Sequence, residues 1–288
     1  MAFAPIESRL KNVGRYVPLA YSPLNWFSFA LLGVARGRLS FLARDLFPQL
    51  VVRPAVLGGL RLALNPLDET HIAIFNELFL DKNYDLRWVP FTPDQIFDCG
   101  GHIGMFSLLA LQRYPRARLI IFEPNPQNLE WIRRQAQLNA IDIEVVQAAV
   151  SVYEGEATFQ ECHSFAGHLL DNATAYVPEH QVWKPSNPLE HARGAPRARY
   201  TVRVVDLPAM LSHRRPERLL LKLDVEGEET HIIPALFDVM PRESAVFFET
   251  HQAEAGWDWA KQQFTDHGFA VERRRSIHDC VDGFALRR

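Results

Sequence analysis

The sequence predicts an α/β fold: a doubly wound, mostly parallel sheet of seven strands, closed by a C-terminal antiparallel hairpin and preceded by a mainly helical N-terminal extension. Three observations predict it. Strand-length apolar runs alternate with helical patterns from about residue 94 onward, which is how parallel sheets with crossover helices read. The first of these runs ends in an acid and a glycine bend, Asp98-x-Gly100-x-x-x-Gly104, before an apolar helix. The run at residues 117–123 is continuously apolar, as a strand covered on both faces would be.

Composition sets outer limits. With 288 residues the chain holds one large domain, or a domain plus an extension. Apolar residues at 48% and charged residues at 23% suit a globular protein with a full core. A net charge of −3 gives no general attraction to nucleic acid, so none is expected as a partner. Cys99, Cys162 and Cys280 lie far apart without a C-x-x-C pair. That pattern argues against a zinc site and a disulfide framework, and it fits a reducing, cytoplasmic setting.

The chain divides by pattern into an extension over residues 1–50, a lead-in over 51–93, and a main domain over 94–288 with a long loop insertion at about 160–199. In the extension, residues 19–35 are apolar and aromatic, flanked by Lys11, Arg15, Arg36 and Arg38 and interrupted by Pro23 and Asn25. The clean apolar core is too short to span a bilayer. It reads as a helix packed on the main domain or on a second subunit; peripheral membrane contact is the alternative. In the lead-in, residues 56–62 read as two short strands around a Gly58-Gly59 hairpin turn. Residues 69–80 read as a helix, and Pro90 and Pro93 punctuate the linker.

The first core strand begins near Gln95, and the helix after Gly104 carries Phe106 and Leu108 and stops at Tyr114-Pro115. Strand 117–123 ends in Glu123, twenty-five positions after Asp98. A carboxylate at that strand tip can accept hydrogen bonds from both hydroxyls of a ribose. Asn125-Pro126 opens the next helix as N-cap and N1. A third strand follows at 143–150, and small residues at its end, Ala148 among them, leave room for a flat purine ring. Regular alternation then stops between 151 and 199, apart from a short strand at 157–160. Such a stretch is a candidate lid over an acceptor molecule. His163, His168, His180 and His191 lie here in no ligand spacing and read as solvated. Strand 200–207 resumes the pattern. Strand 219–227 delivers Lys222, Asp224 and Glu226 to one side by the two-residue period. A helix through Ile232, Ile233 and Phe237 leads to strand 245–251, where Glu249 and His251 share a face. A helix at 256–267 precedes the terminal pair, 269–273 and 283–287. The Arg273-Arg274-Arg275 run reads as solvated surface.

From about residue 51 onward the chain resembles the FkbM family of S-adenosylmethionine-dependent methyltransferases. The carriers are Asp98-Cys99-Gly100-Gly101-His102-Ile103-Gly104, Phe122-Glu123-Pro124-Asn125-Pro126, Val204-Val205-Asp206-Leu207, Leu221-Lys222-Leu223-Asp224-Val225-Glu226-Gly227-Glu228-Glu229 and Glu249-Thr250-His251. The resemblance implies a Rossmann-like fold and O-methylation of a hydroxyl on a sugar, glycolipid, polyketide or other secondary metabolite. It implies a cofactor set of Asp98, Gly100, Gly101, His102, Gly104, Phe106, Glu123, Asn125, Ala148 and Asp224. His102 stands where the family commonly has asparagine.

An alcohol is a poor nucleophile until a base, or a metal, acts on it. His251 is the candidate base, with Asp224, Glu226 and Glu249 as orienting carboxylates. The same four residues could instead hold a magnesium or calcium ion, and the sequence leaves the two open. Lys222 with Asp224 or Glu226 also reads as a plain ion pair at a strand end. Two rival functions stand beside this one. A NAD(P)-dependent oxidoreductase would want a glycine where Cys99 lies. A non-catalytic nucleoside-binding protein would keep the turn without the carboxylate–histidine set.

Overall fold

The computed structural model describes residues 49–66, 68–162, 167–169, 196–251, 253–277 and 280–288. The expected helical extension, and the part of the expected lid from 170 to 195, lie outside them. No helix among the described residues is long and apolar enough to cross a membrane. The chain divides into two compact units. The first takes in the described residues up to Tyr84 together with Ile103–Pro115 and Glu130–Asp142, and the second takes in Asp85–His102, Arg116–Leu129 and Ile143–Arg288.

In the first unit, β1 (Leu50–Val52) pairs antiparallel with β2 (Leu62–Leu64). The expected Gly58-Gly59 hairpin is not a tight two-strand turn. Residues Ala55–Leu57 form a 3-10 turn that Gly58 ends at φ 59°, and the strands lie further out on either side. Pro54 explains this, because it fixes φ and removes a ladder donor just after β1. The outer edge of β2 is met by side chains. Gln135 donates to the Ala63 carbonyl (2.6 Å) and accepts from its amide (2.9 Å), and Asn139 does the same for Arg61 (2.7 and 2.6 Å). Helix α1 (Glu69–Phe75) is capped by Asp68, whose side chain accepts from the Thr70 amide, and it continues as a π-helical stretch over Asn76–Asp81. Gly104, at φ 82°, is the N-cap of α2 (Met105–Arg113).

The second unit holds the seven-stranded sheet. Its strands are β3 (Gln95–Cys99), β4 (Arg118–Phe122), β5 (Glu144–Val146), β10 (Arg218–Leu223), β11 (Glu243–Thr250), β12 (Ala270–Ile277) and β13 (Cys280–Arg287), in the order β12-β13-β11-β10-β3-β4-β5. Every pairing from β11 to β5 is parallel, and β13 runs antiparallel between β11 and β12. The apolar runs of β3, β4, β10 and β11 are buried nearly throughout, because both faces are covered. One core joins Phe97, Leu221 and Phe248 from the strands with Leu211, Ile232 and Phe264 from helices α3 (Leu207–Arg214), α4 (Glu229–Leu236) and α5 (Ala253–Asp266). In β13, Gly283 is required by close approach: a Cβ there would lie 2.3 Å from the enclosed Phe248 ring. The arginine run is less free than expected. Arg273 grips the Glu254 carboxylate with two bonds (2.8 and 2.6 Å), and the Arg274 guanidinium lies 3.1 Å over the Trp88 ring.

The single third strand expected at 143–150 is instead two. β5 stays in the main sheet, the chain turns at Ala148, and β6 (Ala149–Ser151) enters a second sheet with β7 (Gly155–Cys162), β8 (Gly167–Leu169) and β9 (Pro196–Asp206), ordered β6-β9-β7-β8. β7 and β9 pair antiparallel over most of their length around a small core of Ala157, Phe159, Leu169, Val202 and Val204. Part of the stretch read as irregular is therefore sheet. His168 falls on β8, while His163, His180 and His191 lie outside the described residues.

Candidate active site

The order of the main sheet reverses between β3 and β10: from β3 the chain moves to β4 on one side, and from β10 to β11 on the other. Open α/β sheets bind ligands at such a switch, beyond the strands' C-terminal ends. Asp98 and Lys222 are register partners there. Gly100 and Gly101 both donate backbone bonds to the Phe122 carbonyl (3.0 Å each). Gly100 has φ 84°, and a Cβ on it would fall 1.9 Å from the Asp224 carbonyl oxygen, so no other residue fits. The buried Lys222 donates to the Gly100 carbonyl (2.8 Å) and to Asp224 Oδ2 (2.9 Å), and its Nζ lies 3.8 Å from Asp98 Oδ1. Burial opposes its charge, but Asp224 and Asp98 outweigh burial and hold the ammonium above its ordinary range. Lys222 thus ties two strand ends to the glycine turn.

Glu123, only 5% exposed, follows β4. Its Oε2 accepts from the His102 amide and its Oε1 from the Asn125 amide, both at 2.8 Å. His102 reaches this pose in the left-handed region, φ 47°. Burial pushes the Glu123 carboxyl up to about 7, against the pull of those two amides. The Asn128 side chain also bonds the carboxylate, so one hydroxyl donor can take the remaining lone pair and a second can displace Asn128. Asn125 spends its side-chain oxygen on the Gln127 amide (2.8 Å), as an N-cap does. Asp98 is wholly buried, and Ala148 lies in the main core. Gly104 and Phe106 belong to the first unit, where Phe106 meets Tyr84 edge-on at 5.6 Å.

A second group gathers at the ends of β10 and β11. β10 stops at Leu223, so strand period does not carry Glu226 to the side of Asp224. Glu226 and Gly227 adopt left-handed backbones, φ 54° and 110°, and that turn aims Glu226 at His251. The two carboxylates part ways: Asp224 goes to Lys222, while Glu226 Oε2 lies 3.3 Å from His251 Nε2. Glu249 Oε1 is 3.6 Å from the same nitrogen, and Glu229 Oε2 is 3.5 Å from Nδ1. Glu229 also accepts from the Val225 (3.1 Å) and Gly227 (2.8 Å) amides, so it fixes the turn.

These neighbours change the acid–base balance. Burial disfavours the imidazolium of His251, yet Glu229, Cys280 and Glu226 prevail and hold it well above the usual histidine range. The free imidazole is therefore strongly inclined to carry its proton here. Burial also raises Glu226, and it raises Glu249 strongly with help from Asp224, Cys280 and Asp282. Asp282 is pushed up to about 6, by burial first and Asp224 second. Such a group can hold or pass a proton near neutral pH. A narrow cleft lined by Gly227, Glu229, Thr230, Thr250, His251, Gly256 and Trp259 adjoins it.

Glu229, Cys280 and Asp282 join this group although they are not among the sequence candidates. Glu229 falls in the family motif and at a helix start, and neither points to His251. The sequence pattern begins the last strand only at Gly283, which leaves Cys280 and Asp282 out. The ladder itself would have found them, since Glu249 stands opposite Asp282 and Thr250 opposite Val281.

Comparison with known proteins gives a consistent answer. Residues 98–275 match the methyltransferase FkbM domain. Methyltransferase 1 of Beauveria bassiana is 27% identical over 213 residues, covering 70% of this chain and 82% of that protein. Methyltransferase sdnD of Sordaria araneosa is 28% identical over 173 residues, 56% of this chain and 66% of that one. The 31-O-demethyl-FK506 methyltransferase FkbM of Streptomyces tacrolimicus is 26% identical over 222 residues, 69% of this chain and 81% of that one.

Proposed function

The chain belongs to the FkbM methyltransferase family, and from that premise we propose that it moves a methyl group from S-adenosylmethionine to a hydroxyl oxygen of a small-molecule or glycan acceptor. The observation that carries the oxygen acceptor is the proton-holding group of Glu226, Glu249 and His251 at the sheet's C-terminal edge. A hydroxyl must lose a proton on methylation, whereas many stronger nucleophiles need no such partner. The 31-O-demethyl-FK506 relative, whose name describes methylation of an O-demethyl compound, agrees with that choice. Family membership sets aside the dinucleotide oxidoreductase.

The residues fit the cofactor. Glu123 offers a buried carboxylate at the tip of β4, suited to accept from ribose hydroxyls, one of them in place of Asn128. The Gly100–His102 turn presents backbone beside it. When bound, S-adenosylmethionine supplies a methyl on a sulfonium, whose departure leaves a neutral sulfide. The chain's own work is then alignment and proton removal. The acceptor oxygen forms the new bond to carbon, the sulfur keeps the pair of the broken bond, and the hydroxyl proton passes to Glu226. Burial first, and Asp224 and Glu229 after it, make Glu226 a stronger base than a free carboxylate. His251, held as imidazolium by Glu229, orients Glu226 and balances its charge.

A screen of hydroxyl-bearing sugars, glycolipids and polyketides with methyl-labelled cofactor tests this. Label appearing as an alkali-stable ether supports it, and label transferred only to amines or thiols overturns the oxygen assignment. Glu226→Gln is expected to lower turnover about a hundredfold with cofactor affinity unchanged.

A further inference from the structure

β11 and β13 run antiparallel with Glu249 opposite Asp282 and Thr250 opposite Val281. One step further along that ladder stand His251 and Cys280. The two-residue period puts Cys280 on the face of Asp282, which is also the face of Glu249. One ligand atom each from Glu249, His251 and Cys280 lies within 4.8 Å of the others. The 3.6 Å between His251 Nε2 and Glu249 Oε1 is close to the edge of a tetrahedron with bonds of about 2.0–2.1 Å.

A second observation is independent of the spacing. Both ring nitrogens of His251 are enclosed, and neither makes a well-aligned hydrogen bond among the described residues. Nδ1 faces Glu229, which two backbone amides hold in place. A carboxylate behind one imidazole nitrogen is the usual support when the other nitrogen binds a metal.

We propose that His251 Nε2, a Glu249 carboxylate oxygen and Cys280 Sγ bind one divalent transition ion of the zinc class, with Glu229 as the supporting carboxylate. The thiolate and imidazole separate this from a magnesium or calcium site, which would take oxygens alone. Three protein ligands leave a fourth tetrahedral position for water or an acceptor oxygen. Sequence spacing hides the site, because its cysteine arrives across a β ladder rather than in a C-x-x-C pair. The inference stands on geometry; binding displaces the Nε2 proton of the metal-free imidazolium, and the ion's charge then takes the place of that proton's charge beside Glu226.

The test uses the full-length protein, stripped with chelator and titrated with cobalt(II) and then zinc(II). The expected result is one ion per chain, with tetrahedral d–d bands and an intense thiolate-to-cobalt absorption that zinc abolishes on displacement. Cys280→Ser should lose that absorption and weaken binding at least tenfold, and His251→Ala should weaken it further. No saturable binding, a cobalt site without thiolate absorption, or displacement by millimolar magnesium would each overturn the proposal. Calorimetry of S-adenosylmethionine on the same stripped protein keeps the two readings apart. A protein that binds the cofactor but no cobalt loses only the metal site.

Discussion

The ends of β3 and β10 and the ends of β11 and β13 both crowd acids around one cation, yet they are built in opposite ways. At the first, Lys222 is bonded to Gly100 and Asp224 and sits beside Asp98, so the cation is held by direct bonds and the backbone is fixed. At the second, His251 stands 3.3–3.6 Å from three carboxylates without a well-aligned bond, and burial lifts two of them, Glu226 and Glu249. Full pairing gives a rigid frame, while partial pairing leaves protons that can move. The first region should therefore govern stability and cofactor binding, and the second should govern turnover.

The largest effect should come from breaking the frame. Lys222→Met leaves Asp98, fully enclosed, without its cation, and should cost about 3–5 kcal/mol in denaturant unfolding. Gly100→Ala should cost about 3 kcal/mol, since the added carbon meets the Asp224 carbonyl at 1.9 Å in a backbone pose that alanine resists. Variants that melt with the wild type would mean that neither group holds the strand ends.

The other side of the comparison predicts the reverse. Glu249→Gln removes an acid that burial and three acidic neighbours oppose, so stability at pH 7 should stay level or rise. Turnover should nonetheless fall, by on the order of a hundredfold. A marked drop in melting temperature without a drop in rate would reverse the roles assigned to the two regions.

The frame was largely legible in the sequence, and the second cluster only in part, for physical reasons. Strands such as β3 and β10 must be apolar on both faces, so their ends, and hence Asp98 and Lys222, can be located from composition. The glycine spacing marked the turn at Gly100 because only glycine tolerates the contact there. Strand period does not bring Glu226 to His251; a left-handed turn beyond the strand does. Cys280 and Asp282 lie in a half-polar stretch whose partner is set by ladder register, a long-range property that local pattern does not report. The four-stranded sheet was missed likewise, because β6 is only three residues long and continues the run of β5.

A smaller effect sharpens the frame's binding role. Glu123→Ala should cost about 2–3 kcal/mol of cofactor affinity, because two hydroxyl donors lose a charged acceptor. Wild-type affinity should also depend on pH. Hydroxyl donors favour the anion, so binding releases a proton from a carboxyl at about 7. Affinity should fall below that pH, by at most about tenfold per unit, and level off above it. Calorimetry in buffers of differing ionisation heat would read the proton directly, and a flat profile would contradict the ribose assignment.

The smallest effect separates the regions by proton linkage in the folded protein alone. Asp282 titrates at about 6 in the native state, raised from the ordinary aspartate value near 3.8. Between those two pH values the folded chain holds a proton that the unfolded chain has lost. Its contribution to stability is thus complete below about 4 and disappears as pH rises through 6. One such group limits the slope to about 1.4 kcal/mol per pH unit. Asp282→Asn should flatten that part of the urea-stability profile, whereas Asp142→Asn, at an exposed position outside the cluster, should not. If both profiles keep the wild-type slope, Asp282 does not share the raised, proton-holding environment, and the contrast between the two strand ends narrows to His251 and its nearest carboxylates.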